Sequence, residues 1–100
     1  MDTLQIANTI LEQLGGRRFC IMTGSKNFMA DGNSLIMTLA ANKIKAKRLR
    51  IILDASDTYI MEFFTFNKDL KKTVLERVED VYCDQLQEVF TRFTGLYTRL

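Results

Sequence analysis

One hundred residues, 47% hydrophobic and 26% charged with a formal net charge of +2, are enough for one domain (1–100) with one core, and too apolar for a disordered chain. The absence of histidine removes the usual general base near neutral pH, the Ser-His and Cys-His nucleophile pairs and every imidazole metal site, and two cysteines are too few for an all-thiolate zinc site. No apolar run approaches the roughly 20 residues of a membrane helix, and the N-terminus lacks a basic-plus-apolar signal, so the expectation is a soluble, cytoplasmic protein with no membrane contact, metal or cofactor.

The first element is "TLQIANTILEQL", residues 3 to 14, where Ile6, Ala7, Ile10, Leu11 and Leu14 recur at helical spacing. Asp2 followed by Gln5 has the spacing of a capping box, and "GG" at 15 and 16 offers the left-handed residue that commonly ends a helix. From residue 17 the pattern reads as strand. "RRFCIMTG" and "NSLIMTLA" are apolar runs separated by "ADGN", whose Asp-Gly pair favours a tight hairpin, with Gly24 as a candidate bulge. Leu35, Met37 and Leu39 should face the core.

In "KRLRIIL", Leu49, Ile51 and Leu53 alternate with Arg48, Arg50 and Ile52. "DASD" then turns the chain into "TYIMEFFTF", where Tyr59, Met61 and Phe63 point inward if Ile60, Glu62, Phe64 and Phe66 point outward; both sets are apolar enough to leave the register open. After "NKDLKK", "TVLERV" is a candidate fifth strand. The last helix, within "DVYCDQLQEVFTRFTG", carries Tyr82, Leu86, Val89, Phe90 and Phe93 in one stripe, with Asp80 to cap its start and Gly95 to close it. The order predicts an α+β fold: an antiparallel meander of four to five strands with an N-terminal and a C-terminal helix packed on it. Cys20 and Cys83, 63 positions apart in apolar surroundings, suit buried free thiols.

Taken together, "TGSKNFMADGNSL" and "DVYCDQLQEVFTRFTGLYTRL" resemble short uncharacterised proteins encoded in bacteriophage and prophage genomes, which share a similar beginning, a TG-x-KNF segment and a DVY…TGLYT ending. The resemblance spans nearly the whole chain. It implies a phage-type accessory protein working inside a bacterial host cell, and it carries over no catalytic residue.

Two short motifs have ordinary readings. Asp54 and Asp57 in "LDASDTY" suit a hairpin turn better than a cation site that lacks a third ligand. "TGSKN" lacks the Walker A spacing and runs into a hairpin instead of a helix N-terminus, so an interrupted strand accounts for it better than a phosphate loop. In the tail "TGLYTRL", Leu96, Tyr97 and Leu100 are expected to pack back onto the domain, or else to add to a second subunit.

Charge is more informative. Residues 17 to 50 carry Arg17, Arg18, Lys26, Lys43, Lys45, Lys47, Arg48 and Arg50 against one acid, Asp31, a net of +7 hidden in the overall +2 by acidic flanks. With Arg48 and Arg50 on the outer sheet face beside Phe64 and Phe66, cations and rings would share a surface, the combination used by binders of single-stranded DNA or RNA. The candidate nucleic-acid-binding set is Arg17, Arg18, Lys43, Lys45, Lys47, Arg48, Arg50, Phe64 and Phe66, with no catalytic, cofactor or metal residue. Other readings stay open: a charged turn that keeps a sheet edge from aggregating, a homodimer interface made by the outer aromatics, or a nonenzymatic inhibitor or adaptor that docks on a host protein such as a defence nuclease.

Overall fold

The computed structural model describes residues 2–98. Helix α1 (Thr3–Leu14) opens with the expected capping box: the Asp2 carboxylate accepts from the Gln5 amide at 2.8 Å and the Gln5 side chain accepts from the Asp2 amide at 3.2 Å. Ala7, Ile10 and Leu14 are buried, and Gly15 ends the helix with its amide on the Glu12 carbonyl.

The next segment corrects the sequence reading. "GRRFCIMT" is a second helix, α2 (Gly16–Thr23), rather than the first arm of a hairpin. Its buried residues, Phe19 and Thr23, lie four apart on one helical face, whereas a strand would bury Ile21, which is exposed. Tertiary contact overrides the β-like composition: the Phe19 ring meets Phe90 edge-on at 4.9 Å. Gly24 is the left-handed cap of this helix (φ +71°), a conformation open to glycine at no steric cost, and not a bulge. The strand interruption comes slightly later, between Lys26 and Met29, where Asn27 has φ +56°.

Five strands follow: β1 (Lys26–Asp31), β2 (Ser34–Thr38), β3 (Arg48–Leu53), β4 (Tyr59–Phe66) and β5 (Lys72–Val81). They form one antiparallel sheet in the order β1-β2-β3-β4-β5, so the meander is as expected, with the hairpin arm shifted to residues 26–31. The expected inward sets hold. Leu35, Met37, Leu49, Ile51, Tyr59, Met61 and Phe63 are buried on one face, under α1, α2 and the C-terminal helix.

That helix is shorter than its stripe predicted. A 3₁₀ turn (Cys83–Gln85) leads into α3 (Leu86–Thr94), whose Leu86, Val89 and Phe90 are buried, and Phe93 packs on Phe63 at 5.5 Å. Asp80 does not cap it: Asp80 belongs to β5, with φ +57°, because the strand runs on through Val81 to its pairing with Tyr59. Tyr82 is correspondingly outside the stripe and 59% exposed. Gly95 closes α3 as expected, left-handed at φ +75° and bonded to the Thr91 carbonyl. Within the tail, Leu96 packs on the core while Tyr97 is exposed; Leu100 lies outside the described residues.

Both cysteines are free, but only Cys20 is partly covered by the core, while Cys83 is exposed on the 3₁₀ turn, none of whose residues is buried. In the native protein one thiol should therefore react rapidly with an aromatic disulfide reagent and the other slowly, with two titrated after denaturation; Cys83→Ser should abolish the fast phase. Phe90→Ala removes a fully buried ring and its edge contact with Phe19, and should lower stability by about 3–5 kcal/mol, read from urea unfolding. An unchanged midpoint would show that the aromatic cluster does not hold the helices to the sheet.

Candidate nucleic-acid interface

The uncovered face of the sheet is built in cross-strand rows. One row runs Lys26, Thr38, Arg48, Phe64, Val74; the next runs Met29, Ile36, Arg50, Glu62, Arg77; a third begins Asp31, Ser34, Ile52, Ile60. Arg48, Arg50, Phe64 and Phe66 do share this face, as expected, but their roles differ.

Phe66 is 43% exposed, and the Arg48 guanidinium lies 5.6 Å from its ring centre. Phe64 is only 6% exposed: Phe66 meets it edge-on at 5.8 Å and the Lys72 ammonium stands 4.6 Å from its centre. Phe64 is therefore a packed ring beneath a cation, with no free surface for a base. Arg50 is also engaged, donating to the Ser34 hydroxyl at 3.1 Å and facing Asp31 at 3.7 Å.

The middle of the face holds a charge cluster that sequence reasoning overlooked. Glu62, 7% exposed, is hydrogen-bonded by Lys72 and by Arg77 at 2.9 Å, and Arg77 also reaches Glu79 at 3.3 Å. Burial pushes the Glu62 carboxyl up, but the hydrogen bonds and charges of Lys72 and Arg77 outweigh it and hold the group below the ordinary carboxylate range. An alternating strand read in isolation hides this pair, because Glu62 meets Arg77 only through the β4–β5 register.

The remaining cations are presented by the β2–β3 loop. Asn42 braces it: its amide donates to the Ala40 and Ala46 carbonyls at 2.8 and 2.7 Å, and its side-chain oxygen accepts from the Ala46 amide at 3.1 Å. The Lys43 amide bonds the Thr94 carbonyl, tying the loop to the end of α3, and the Lys47 amide bonds the Phe64 carbonyl, tying it to β4. Ala46 is buried by this folding, and Lys43, Lys45 and Lys47 project outward without a carboxylate partner among the described residues.

Because each strand of a meander reverses the last, the starts of β1, β3 and β5 and the ends of β2 and β4 lie at one end of the sheet. That end gathers Lys26, Lys43, Lys45, Lys47, Arg48, Lys68, Lys71 and Lys72 with one acid, Asp69. The other end gathers Asp31, Asp54, Asp57, Glu79 and Asp80. The charges thus sort by sheet end rather than by sequence half. Lys26, Lys68 and Lys71, absent from the expected set, belong to the basic end; the alternation of turns in the meander was the signal for them. Arg17 and Arg18 do not join it, since α2 lies in the helical layer on the opposite face.

Asp54 and Asp57 form the expected turn, with the Asp57 amide on the Asp54 carbonyl and the Ala55 amide on the Asp54 side chain. No three His, Cys, Asp or Glu side chains converge as metal ligands among the described residues. A separate open hollow of about 830 Å³ lies between the end of α1 and the exposed side of α3, where Gln87 already bonds Thr98 and the Gln13 carbonyl. No helix among the described residues is long and apolar enough to cross a membrane.

Glu62→Gln removes a charge held by two cations and should cost roughly 1–3 kcal/mol at neutral pH. Since the folded carboxyl is held below its unfolded value near 4.3, its contribution is present above that value and lost as pH falls through the folded one. The stability gap between parent and Glu62→Gln, measured by urea unfolding, should therefore narrow below about pH 4; a gap independent of pH would remove the charge from the account. Comparison with protein-family models, with curated proteins and with solved structures returns no match.

Proposed function

We propose that this is a nonenzymatic binding protein that holds single-stranded DNA or RNA at the basic end of its sheet. Backbone phosphates would lie along Lys43, Lys45, Lys47, Arg48 and Lys26, with a base against the exposed part of Phe66. The observation that carries the reading is the concentration of cations without carboxylate partners at one sheet end, Lys43, Lys45 and Lys47 on a loop braced by Asn42 and Arg48 beside the exposed ring of Phe66. A braced loop presents its charges with little conformational entropy left to lose on binding. Arg50, Lys72 and Phe64, each occupied within the protein, support the face rather than contact the ligand. The resemblance to phage-encoded proteins supports a reading in which this activity works inside a bacterial host cell.

A second reading draws on the acidic end of the sheet. Asp31, Asp54, Asp57, Glu79 and Asp80 would suit docking on a basic surface of a host protein, as an inhibitor or adaptor of a defence nuclease would.

Binding of labelled single-stranded DNA and RNA across a salt series separates the two. Changing Lys45, Lys47 and Arg48 together to glutamine should weaken binding and reduce the magnitude of the log–log salt slope by about 2, at roughly 0.7 per phosphate contact. Arg50→Gln should leave the slope unchanged. No binding by the parent protein at low salt, where such contacts are strongest, would overturn the nucleic-acid reading and leave the docking one.

A further inference from the structure

Strand β5 is the longest of the sheet and the least covered. All ten residues from Lys72 to Val81 belong to it, only Val81 is buried, and in the strand order β5 stands at an edge, paired with β4 alone. A long strand with one row of backbone donors and acceptors unpaired is a template for another strand. Large apolar side chains are exposed along the same edge: Val74 and Leu75 within it, and just beyond its two ends Leu70, 82% exposed, and Tyr82.

The charges along this edge identify the occupant. β5 begins at the basic end of the sheet, with Lys72 directly after Lys71, and finishes at the acidic end, with Glu79 and Asp80. An antiparallel copy of the same strand would therefore place the basic start of each against the acidic finish of the other, twice, by symmetry. Face matching agrees. Lys72, Val74 and Arg77 stand beside Phe66, Phe64 and Glu62 on the uncovered face, while Thr73 and Val78 stand beside Thr65 and Met61 on the other. One register shift, between the Tyr59 and Met61 pairings, sets both Glu79 and Asp80 against Ile60, and the other, between the Phe63 and Phe64 pairings, leaves Leu75 as an extra residue in the strand. With that bulge at the centre, Lys72 falls opposite Glu79 of the second copy, Thr73 opposite Val78 and Val74 opposite Arg77, each pair on one face. Leu70 then falls near Val81 and Tyr82 of the second copy, which covers the exposed apolar groups at both ends.

We infer that two copies of this chain associate through β5, edge to edge and antiparallel, into one continuous ten-stranded sheet. A two-fold axis of this kind stands perpendicular to the sheet, so both helical layers lie on one side and both uncovered faces on the other. The inference does not depend on the nucleic-acid reading.

Light scattering after size exclusion should give twice the chain mass of 11.6 kDa at micromolar concentration. Glu79→Lys sets like charges opposite each other at both ends of the strand pair and should raise the dimer dissociation constant at least tenfold without changing the circular dichroism spectrum. A parent protein that stays monomeric up to hundreds of micromolar overturns the inference; so does a dimer that Glu79→Lys leaves unweakened. In a Cys83→Ser background, Thr73→Cys combined with Val78→Cys reads the register directly. The two positions are roughly 16 Å apart along one strand, too far for a disulfide within a chain, so mild oxidation should yield a covalent dimer. Failure to cross-link in a protein that is dimeric by mass would overturn the β5 pairing.

Discussion

The packing of Phe93 onto Phe63, and of Phe19 edge-on against Phe90 in the same core as the cross-strand row of Met37, Leu49 and Phe63, is the contact on which the rest of the structure depends. It joins α2 and α3 to the centre of the sheet and determines which face is covered. Once those residues point inward, the two-residue alternation of the strands leaves no freedom for their neighbours: Arg48, Arg50, Glu62 and Phe64 must lie on the opposite face.

That opposite face is finished by polar means. Phe64 is covered by Lys72 and Phe66 instead of by a helix, and the buried Glu62 is compensated by Lys72 and Arg77. Lys72 serves both roles, with its ammonium on the carboxylate and near the ring. A buried carboxylate with two cationic partners contributes modestly to stability when intact and costs considerably when broken, so its clearest structural effect is on register: only one alignment of β4 and β5 pairs Glu62 with Arg77. Spending Arg50, Lys72 and Arg77 on Asp31, Glu62 and Glu79 confines the cations of this face that have no carboxylate partner to the end of the sheet and its loop.

Several elements were legible in the residues. The capping box of Asp2 and Gln5, the glycine that closes α3, the inward set of β2 to β4 and the antiparallel meander all follow from local chemistry and short-range period. The segment 17–23 was not legible, because "RRFCIMT" suits strand and helix alike, and only the contact of Phe19 with Phe90 selects the helix. Tyr82 and Cys83 were misread for a related reason. Helical spacing continues on paper before the start of α3, but the pairing of Val81 with Tyr59 keeps the chain in the sheet up to Val81, so Tyr82 and the 3₁₀ turn of Cys83 precede the helix.

The candidate interface divides in the same way. Neighbours a few residues apart are enough to show that a cluster of lysines follows β2 and that Arg48 and Arg50 share a strand face. Which of these groups face solvent depends instead on contacts between segments far apart in the chain. Arg50 is taken up by Ser34 and Asp31, 16 and 19 residues away in the chain, Phe64 is covered by Lys72, and Arg17 and Arg18 lie in the helical layer. Lys26, Lys45 and Lys71 reach one end of the molecule because successive strands run in opposite directions. Charge that looks dispersed along a chain becomes a single patch when folding brings distant turns together, and no local pattern encodes that distance.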